Sequence, residues 1–168
     1  MNAEPGVIFE PLAPHHDRRS FSCGETALDD YLRERAGQDV RRRIARVFVA
    51  VDRSNGLLAG YYTLSAASFF REDLPEGLAK RLPHYPVPAA ILGRLAVDRQ
   101  YQGRGLGALM LADAIKRLVR ASESLAIHAL IADAKNDGAK AFYEHFGFQA
   151  FPDASMRLFM PLGRFIES

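Results

Sequence analysis

The chain has 168 residues, 48% hydrophobic and 25% charged, with 22 Lys and Arg against 20 Asp and Glu and a formal net charge of +2, which is the composition expected of one domain (residues 1–168) with a real core. No run approaches the ~20 apolar residues that cross a bilayer, and no basic stretch followed by an apolar one opens the chain, so neither membrane nor secretion is expected. Cys23, the single cysteine, excludes an internal disulfide and a cysteine zinc cluster, in keeping with a reducing, cytoplasmic compartment.

In chain order, Val7 to Leu12 reads as a short strand. Glu25 to about Asp39 reads as a helix, because Leu28, Tyr31, Leu32 and Ala36 recur at helical spacing with acids early and arginines late. Ile44 to Val51 alternates as a strand. Asn55-Gly56 marks a turn, so Leu58 to about Ser68 is expected to form a hairpin with it. Four prolines punctuate residues 72–88, which predicts a loop with a short helix near Glu76 to Arg81. Ala89 to Val97 is a third long strand. Leu106 to about Glu123 is a helix whose polar stripe, Asp113, Lys116, Arg117 and Arg120, turns Met110, Leu111, Ala114, Ile115 and Leu118 toward a core. Ile127 to Ala132 is a strand and Gly138 to about His145 a shorter helix. Phe148–Phe151 and Met156–Met160 complete a mixed α/β sheet.

The charge is uneven. Arginines stand at positions 33, 35, 41, 42, 43 and 46, against Glu34 and Asp39. Such a run is ordinarily a solvated helix face; read functionally, it is a surface for phosphate, because arginine forks match phosphate oxygens.

The strongest chemical signal is Gln102-Gly103-Arg104-Gly105-Leu106-Gly107, set between the Ala89–Val97 strand and the long helix. Glycines at a strand-to-helix junction leave backbone N–H groups free to point at an anion, and the helix N-terminus adds partial positive charge. The loop is no Walker A motif, since no Gly-Lys-Ser/Thr follows, and its G-x-G-x-G spacing is a poor dinucleotide fingerprint. The Q-x-x-G-x-G spacing resembles the pyrophosphate loop of the GNAT-type N-acetyltransferases, which carry acetyl groups on coenzyme A. The second half of that family's pattern follows in order: Asn136, then Phe142-Tyr143, then Gly147-Phe148.

The resemblance implies a GNAT fold, a mixed and mostly antiparallel sheet with splayed strands and flanking helices, and acetyl-CoA as cosubstrate with no metal. It implies that Leu95, Ala96 and Val97 lie along the pantetheine arm and that backbone amides of Gly103 through Ala108, with Gln102, Arg104, Gly105, Leu106 and Gly107 in the loop, hold the pyrophosphate. Asn136 matches a cofactor contact in the family and is equally an N-cap for the helix behind it. Tyr143, among Phe142 and Phe146, would be a core aromatic without the resemblance; with it, Tyr143 is the general acid at the sulfur. Protonating a thiolate (pKa about 8.5) from a tyrosine (about 10) is uphill by roughly 2 kcal/mol in water. Hydrogen-bond stabilisation of the developing sulfur charge therefore competes with full transfer.

No glutamate stands out as general base; His84, Asp133 and His128 are the alternatives. A lysine amine is free in only about one molecule in 2,500 at pH 7, an α-amine in about one in six, a difference of roughly 3.7 kcal/mol. An enzyme without a strong base is thus expected to act on an α-amine, with water removing the proton.

A narrower set of segments, Phe21-Ser22-Cys23-Gly24, Gly60 to Ala66, Leu82-Pro83 with Tyr85 to Pro88, Leu92 to Asp98, Asp133 to Lys135 and Leu158 to Pro161, is similar to the acetyltransferase toxins of toxin–antitoxin pairs, the TacT and AtaT kind. That resemblance implies acetylation of the α-amino group of aminoacyl-tRNA, which blocks translation; the alternative is a general acetyltransferase acting on a small amine or a protein N-terminus. It further implies a homodimer, a ribbon-helix-helix antitoxin (of the DUF1778 type) and contact with operator DNA only through that antitoxin. A tRNA substrate makes Arg41, Arg42, Arg43, Arg46 and Arg94 the expected phosphate contacts. His84 stands where many such relatives carry arginine.

Overall fold

Turn residues and apolar periodicity place the elements close to where the sequence puts them in the computed structural model, which describes residues 6–166. Seven strands form one sheet in the order β1-β2-β3-β4-β5-β7-β6. They are β1 (Val7–Pro11), β2 (Arg46–Asp52), β3 (Leu58–Phe69), β4 (Val87–Val97), β5 (Ala129–Asp133), β6 (Gln149–Phe151) and β7 (Ala154–Pro161). The β1–β2, β2–β3, β5–β7 and β6–β7 pairs are antiparallel, while β4 and β5 run parallel. Parallel neighbours need a crossover, and the helix α4 (Leu106–Ala121) lies in that connection.

The chain divides into two compact units, residues 1–65 with 93–114 and residues 66–92 with 115–168, so that β3, β4 and α4 each contribute to both. In the first unit the expected single helix from Glu25 to Asp39 is three pieces: α1 (Thr26–Asp30), a π-helical turn (Tyr31–Arg35) and α2 (Ala36–Arg41). The wider turn lets Ala36 donate its N–H to the Tyr31 carbonyl. It keeps Tyr31, Leu32 and Ala36 all buried, which an unbroken 3.6-residue repeat does less well. Those residues pack with Phe21, Val47, Val49, Tyr61 and Ala96. Beyond that face of β2, Phe48 stacks on Tyr62, ring centroids 5.3 Å apart; β2 is therefore buried on both faces, where its alternation predicted one.

The second unit has its own core of Phe69, Leu74, Val87, Ile131, Phe151 and Phe159. The proline-rich stretch holds a 3₁₀ turn (Arg71–Asp73) and the short α3 (Glu76–Ala79). The helix α5 (Asp137–His145) precedes β6.

Candidate active site

In the first unit, the end of β4 and the glycine loop are fastened by one network. The buried Asp98 accepts hydrogen bonds from the backbone N–H groups of Ser22 (3.0 Å) and Gln100 (2.9 Å). The Gln102 side-chain amide donates to the carbonyls of Val97 and Cys23, each at 2.9 Å. Gln102, expected among the cofactor contacts, thus uses its amide as a brace that ties the loop to the strand end and to the Phe21–Gly24 segment. Tyr101 is buried and donates its hydroxyl to Asp52, which with Ser54 holds that carboxyl below the usual range. Asp98, Tyr101 and Asp52 are supports that motif reading missed; the tripeptide Val97-Asp98-Arg99 at the strand end was the available signal.

Gly103 and Gly105 both have φ of +79°, with nothing within 4 Å of where a Cβ would stand. The requirement for glycine here is conformational and not spatial, because an L side chain is strained in this region whatever room it has. The loop is exposed, and the Arg104 guanidinium lies 5.5 Å from the Tyr101 ring centroid. Leu106 is buried and anchors the helix start, while Gly107 and Ala108 are half-buried in its first turn. The first N–H groups of an α-helix have no intrahelical acceptor, which leaves donors in this turn of the kind that an anion can accept. On β4, pairing with β5 covers Ala89–Leu92 only, while the strand continues to Val97. Leu95, Ala96 and Val97 therefore lie on a stretch of β4 past that ladder, as splayed strands require.

Arg94 is half-buried with its guanidinium carbon 3.5 Å from the Tyr31 ring centroid. Tyr31 donates to Asp39 at 2.7 Å, and burial with that bond pushes its phenol up to about 12. Arg94 is thus stacked against the helix, unlike Arg41, Arg42, Arg43 and Arg46, which are all exposed. Arg43 holds a left-handed backbone with φ of 60° just past the end of α2.

In the second unit, Asn136 caps α5: its side-chain oxygen accepts from the Ala139 N–H at 2.8 Å. Two turns on, Tyr143 is 4% exposed, with ring centroids of Phe142 and Phe148 at 5.3 and 5.2 Å. Among the described residues its hydroxyl makes no hydrogen bond, yet no fully buried polar atom lacks a partner, so the hydroxyl reaches accessible surface. Burial first, and the Asp133 carboxylate second, push this phenol well above its ordinary value. Asp133 is held by Arg157 through two contacts of 2.9 and 3.2 Å. Both of its carboxylate oxygens are thus engaged by one guanidinium. His84 is exposed, 3.6 Å from Glu72. His128 lines an apolar cavity of ≈170 Å³ with Phe69, Leu78 and Phe159, and desolvation pushes its imidazole down.

Glu10, His15 and His16 bring ligand-type atoms within 4.8 Å of one another. The buried His16 accepts the Ala13 N–H on Nδ1 and so donates from Nε2 to Glu10 at 2.6 Å. Binding a metal through Nε2 would place a proton on Nδ1 against that N–H, so the cluster is a tie for the first strand and not a metal site. Among the described residues no helix is long and apolar enough to cross a membrane.

A model of the family described as acetyltransferase (GNAT) matches residues 12–148. A tRNA-acetylating toxin of Mycobacterium tuberculosis is 42% identical over 144 residues, covering 86% of this chain and 85% of that protein. Among solved structures, AtaT complexed with acetyl-methionyl-tRNAfMet is similar with a TM-score of 0.88 at 32% identity, covering 95% of this chain and 96% of that one. A tyrosine-to-phenylalanine variant of AtaT, bound to the C-terminus of the antitoxin AtaR and to acetyl-CoA, has a TM-score of 0.81 at 29% identity and covers 95% of each chain.

Proposed function

The chain belongs to the acetyltransferase (GNAT) family, and on that premise we propose that it transfers acetyl from acetyl-CoA to the α-amino group of aminoacyl-tRNA and thereby stops translation. The observation that carries this reading is the 42% identity to a tRNA-acetylating toxin across most of both chains. The family match spans both compact units, which supports reading residues 1–168 as one catalytic domain.

The roles follow the chemistry. Backbone amides of Gly103 to Ala108 hold the pyrophosphate, Arg104 adds charge, and Gln102 and Asp98 keep the loop in place. Main-chain groups of Leu95, Ala96 and Val97 hydrogen-bond the pantetheine arm as a missing strand would. The α-amine attacks the thioester carbonyl, the C–N bond forms, the C–S bond breaks, the amine gives a proton to water and the sulfur leaves as a thiolate. Tyr143 donates a hydrogen bond to that sulfur. Its raised pKa makes complete early transfer costlier than in water, so stabilisation of the developing charge is the larger contribution. Asn136 caps the helix that carries Tyr143. Arg41, Arg42, Arg43 and Arg46 meet tRNA phosphates, and Arg94, stacked on Tyr31, faces the acceptor end.

The partners proposed with this activity are a ribbon-helix-helix antitoxin, a second copy of the chain, and operator DNA reached only through the antitoxin. The place is the cytoplasm, where charged tRNA is used. Protein, labelled acetyl-CoA and a charged tRNA pool, followed by ester hydrolysis, tests the reading. Label is expected on the α-nitrogen of released amino acids. Label confined to polyamines or protein amines rejects it in favour of a general acetyltransferase.

A further inference from the structure

We infer that a crevice lined by Arg18, Arg19 and Arg33, beside the arginine run of residues 41–46, is a phosphate subsite that grips the sugar–phosphate backbone of the RNA substrate; this rests on the aminoacyl-tRNA reading above. The crevice lies wholly in the first unit, has a volume of ≈360 Å³, and is completed by His16 and Asp17.

Its walls are preorganised. Asp17 accepts from the N–H groups of Arg19 (3.1 Å) and Ser20 (3.4 Å) and from the Ser20 hydroxyl (3.0 Å). Those bonds hold its carboxyl below the usual range, so it stays ionised as the staple of the turn that presents Arg18 and Arg19. His16, with both ring nitrogens engaged, fixes the other side. Arg33 reaches across from the π-helical turn, donating to the Phe21 carbonyl at 2.7 Å with Asp30 at 3.8 Å. Arg18 has only a 3.4 Å contact to the Leu32 carbonyl. Donors remain on both guanidinium groups, since each carries five N–H.

The crevice also joins the arginine run. At Gly37, the Nη1 atoms of Arg18 and Arg41 each lie 3.4 Å from where a Cβ would stand. Two guanidinium groups converge on one helical glycine, and the neighbouring acid, Asp39, accepts from the Tyr31 hydroxyl. Like charges on the same side of a helix repel; an anion seated between them reverses the sign, and guanidinium forks match phosphate oxygens. The polar, cationic lining fits a nucleic-acid backbone and not an apolar protein segment. Arg18 thereby brings the crevice toward Arg41, the first arginine of the exposed run.

The test uses the full chain and the double variant Arg18→Gln/Arg19→Gln, with Arg18→Lys/Arg19→Lys as a charge-retaining control. Acetylation of a charged tRNA pool is followed against salt. For the glutamine pair, KM for charged tRNA should rise about tenfold near 0.15 M salt. The slope of log affinity against log salt should flatten by about 1 to 2, since each phosphate contact contributes roughly 0.7–0.9. Saturating kcat and KM for acetyl-CoA should not move. The lysine pair should recover most of the slope and so separates lost charge from misfolding. An unchanged KM and slope, while the wild type acetylates charged tRNA, overturns the subsite and leaves the activity standing. Loss of antitoxin affinity with unaltered tRNA kinetics overturns it in favour of a protein interface. A wild type that leaves charged tRNA unmodified overturns both.

Discussion

Arg43 holds a backbone conformation that favours glycine, in the middle of a basic run, and this sets stability against function in a measurable way. It stands just after Arg42, the C-cap of α2, with φ of 60°, the position where helices most often carry glycine. For an L residue that conformation costs about 1–2 kcal/mol. Replacement by glycine removes the strain but loosens the unfolded chain, which returns about 0.4–1 kcal/mol. The net expectation for Arg43→Gly is stabilisation by about 0.5–1 kcal/mol, or a Tm higher by roughly 1–4 °C in a chain of this size. The same change deletes an exposed cation, so KM for charged tRNA should rise and its salt slope flatten by about 1. Arg43→Ala deletes the charge and keeps the strain, so it should match the glycine variant in tRNA kinetics without its gain in Tm. Thermal unfolding by circular dichroism and acetyl transfer to charged tRNA, on three purified proteins, decide the matter. If glycine lowers Tm, or glycine and alanine unfold together, the strain argument fails. If neither alters tRNA kinetics, Arg43 has no part in RNA binding.

The remaining predictions concern the donor site and α5. Gly105→Ala should cost about 1–2 kcal/mol, seen as a 5- to 30-fold rise in KM for acetyl-CoA or as lost stability. Gly56→Ala, at φ +74° with equally open surroundings in the β2–β3 turn, should lose stability alone; equal effects of both on acetyl-CoA would remove the loop from the cofactor site. Tyr143→Phe keeps the aromatic packing and should lower kcat by about 10²- to 10³-fold with Tm unchanged. Because burial raises the Tyr143 pKa, its protonated form persists on the alkaline side. Wild-type rate should climb as the α-amine deprotonates near pH 7.7 and show no tyrosine limb below about pH 10. A decline beginning near pH 9 would contradict that. Asn136→Ala should destabilise by about 0.5–2 kcal/mol and Asn136→Asp should restore it; an acetyl-CoA KM that stays raised in the aspartate variant would mark the amide as a cofactor contact as well.

Local chemistry was legible in the residue order. Gln102 to Gly107 marks a strand-to-helix turn because glycine there is a backbone requirement, and Asn55-Gly56 marks the hairpin for the same reason. The polar stripe of α4 predicted its buried face, but that stripe is not all solvated: Asp113 accepts from the Tyr62 hydroxyl at 2.5 Å, and Arg117 is half-buried. Hydrophobic period says which side of a helix is buried, and it is silent on which polar groups a neighbouring strand brings to meet it.

Residue order alone therefore determined most elements, though not the π-helical break at Tyr31–Arg35, together with the glycine loop and the aromatic-bearing helix behind Asn136, since backbone preference and periodicity act within a few residues. Only tertiary structure decided that the Gln102 amide bonds the Val97 and Cys23 carbonyls, that Asp133 is held by Arg157, that Arg94 stacks on Tyr31, and that Arg18 and Arg41 both reach Gly37. Apart from Gln102 with Val97 and Arg41 with Gly37, each joins residues well separated along the chain. The free energy of such a contact depends on burial and distance, which no spacing along the sequence encodes.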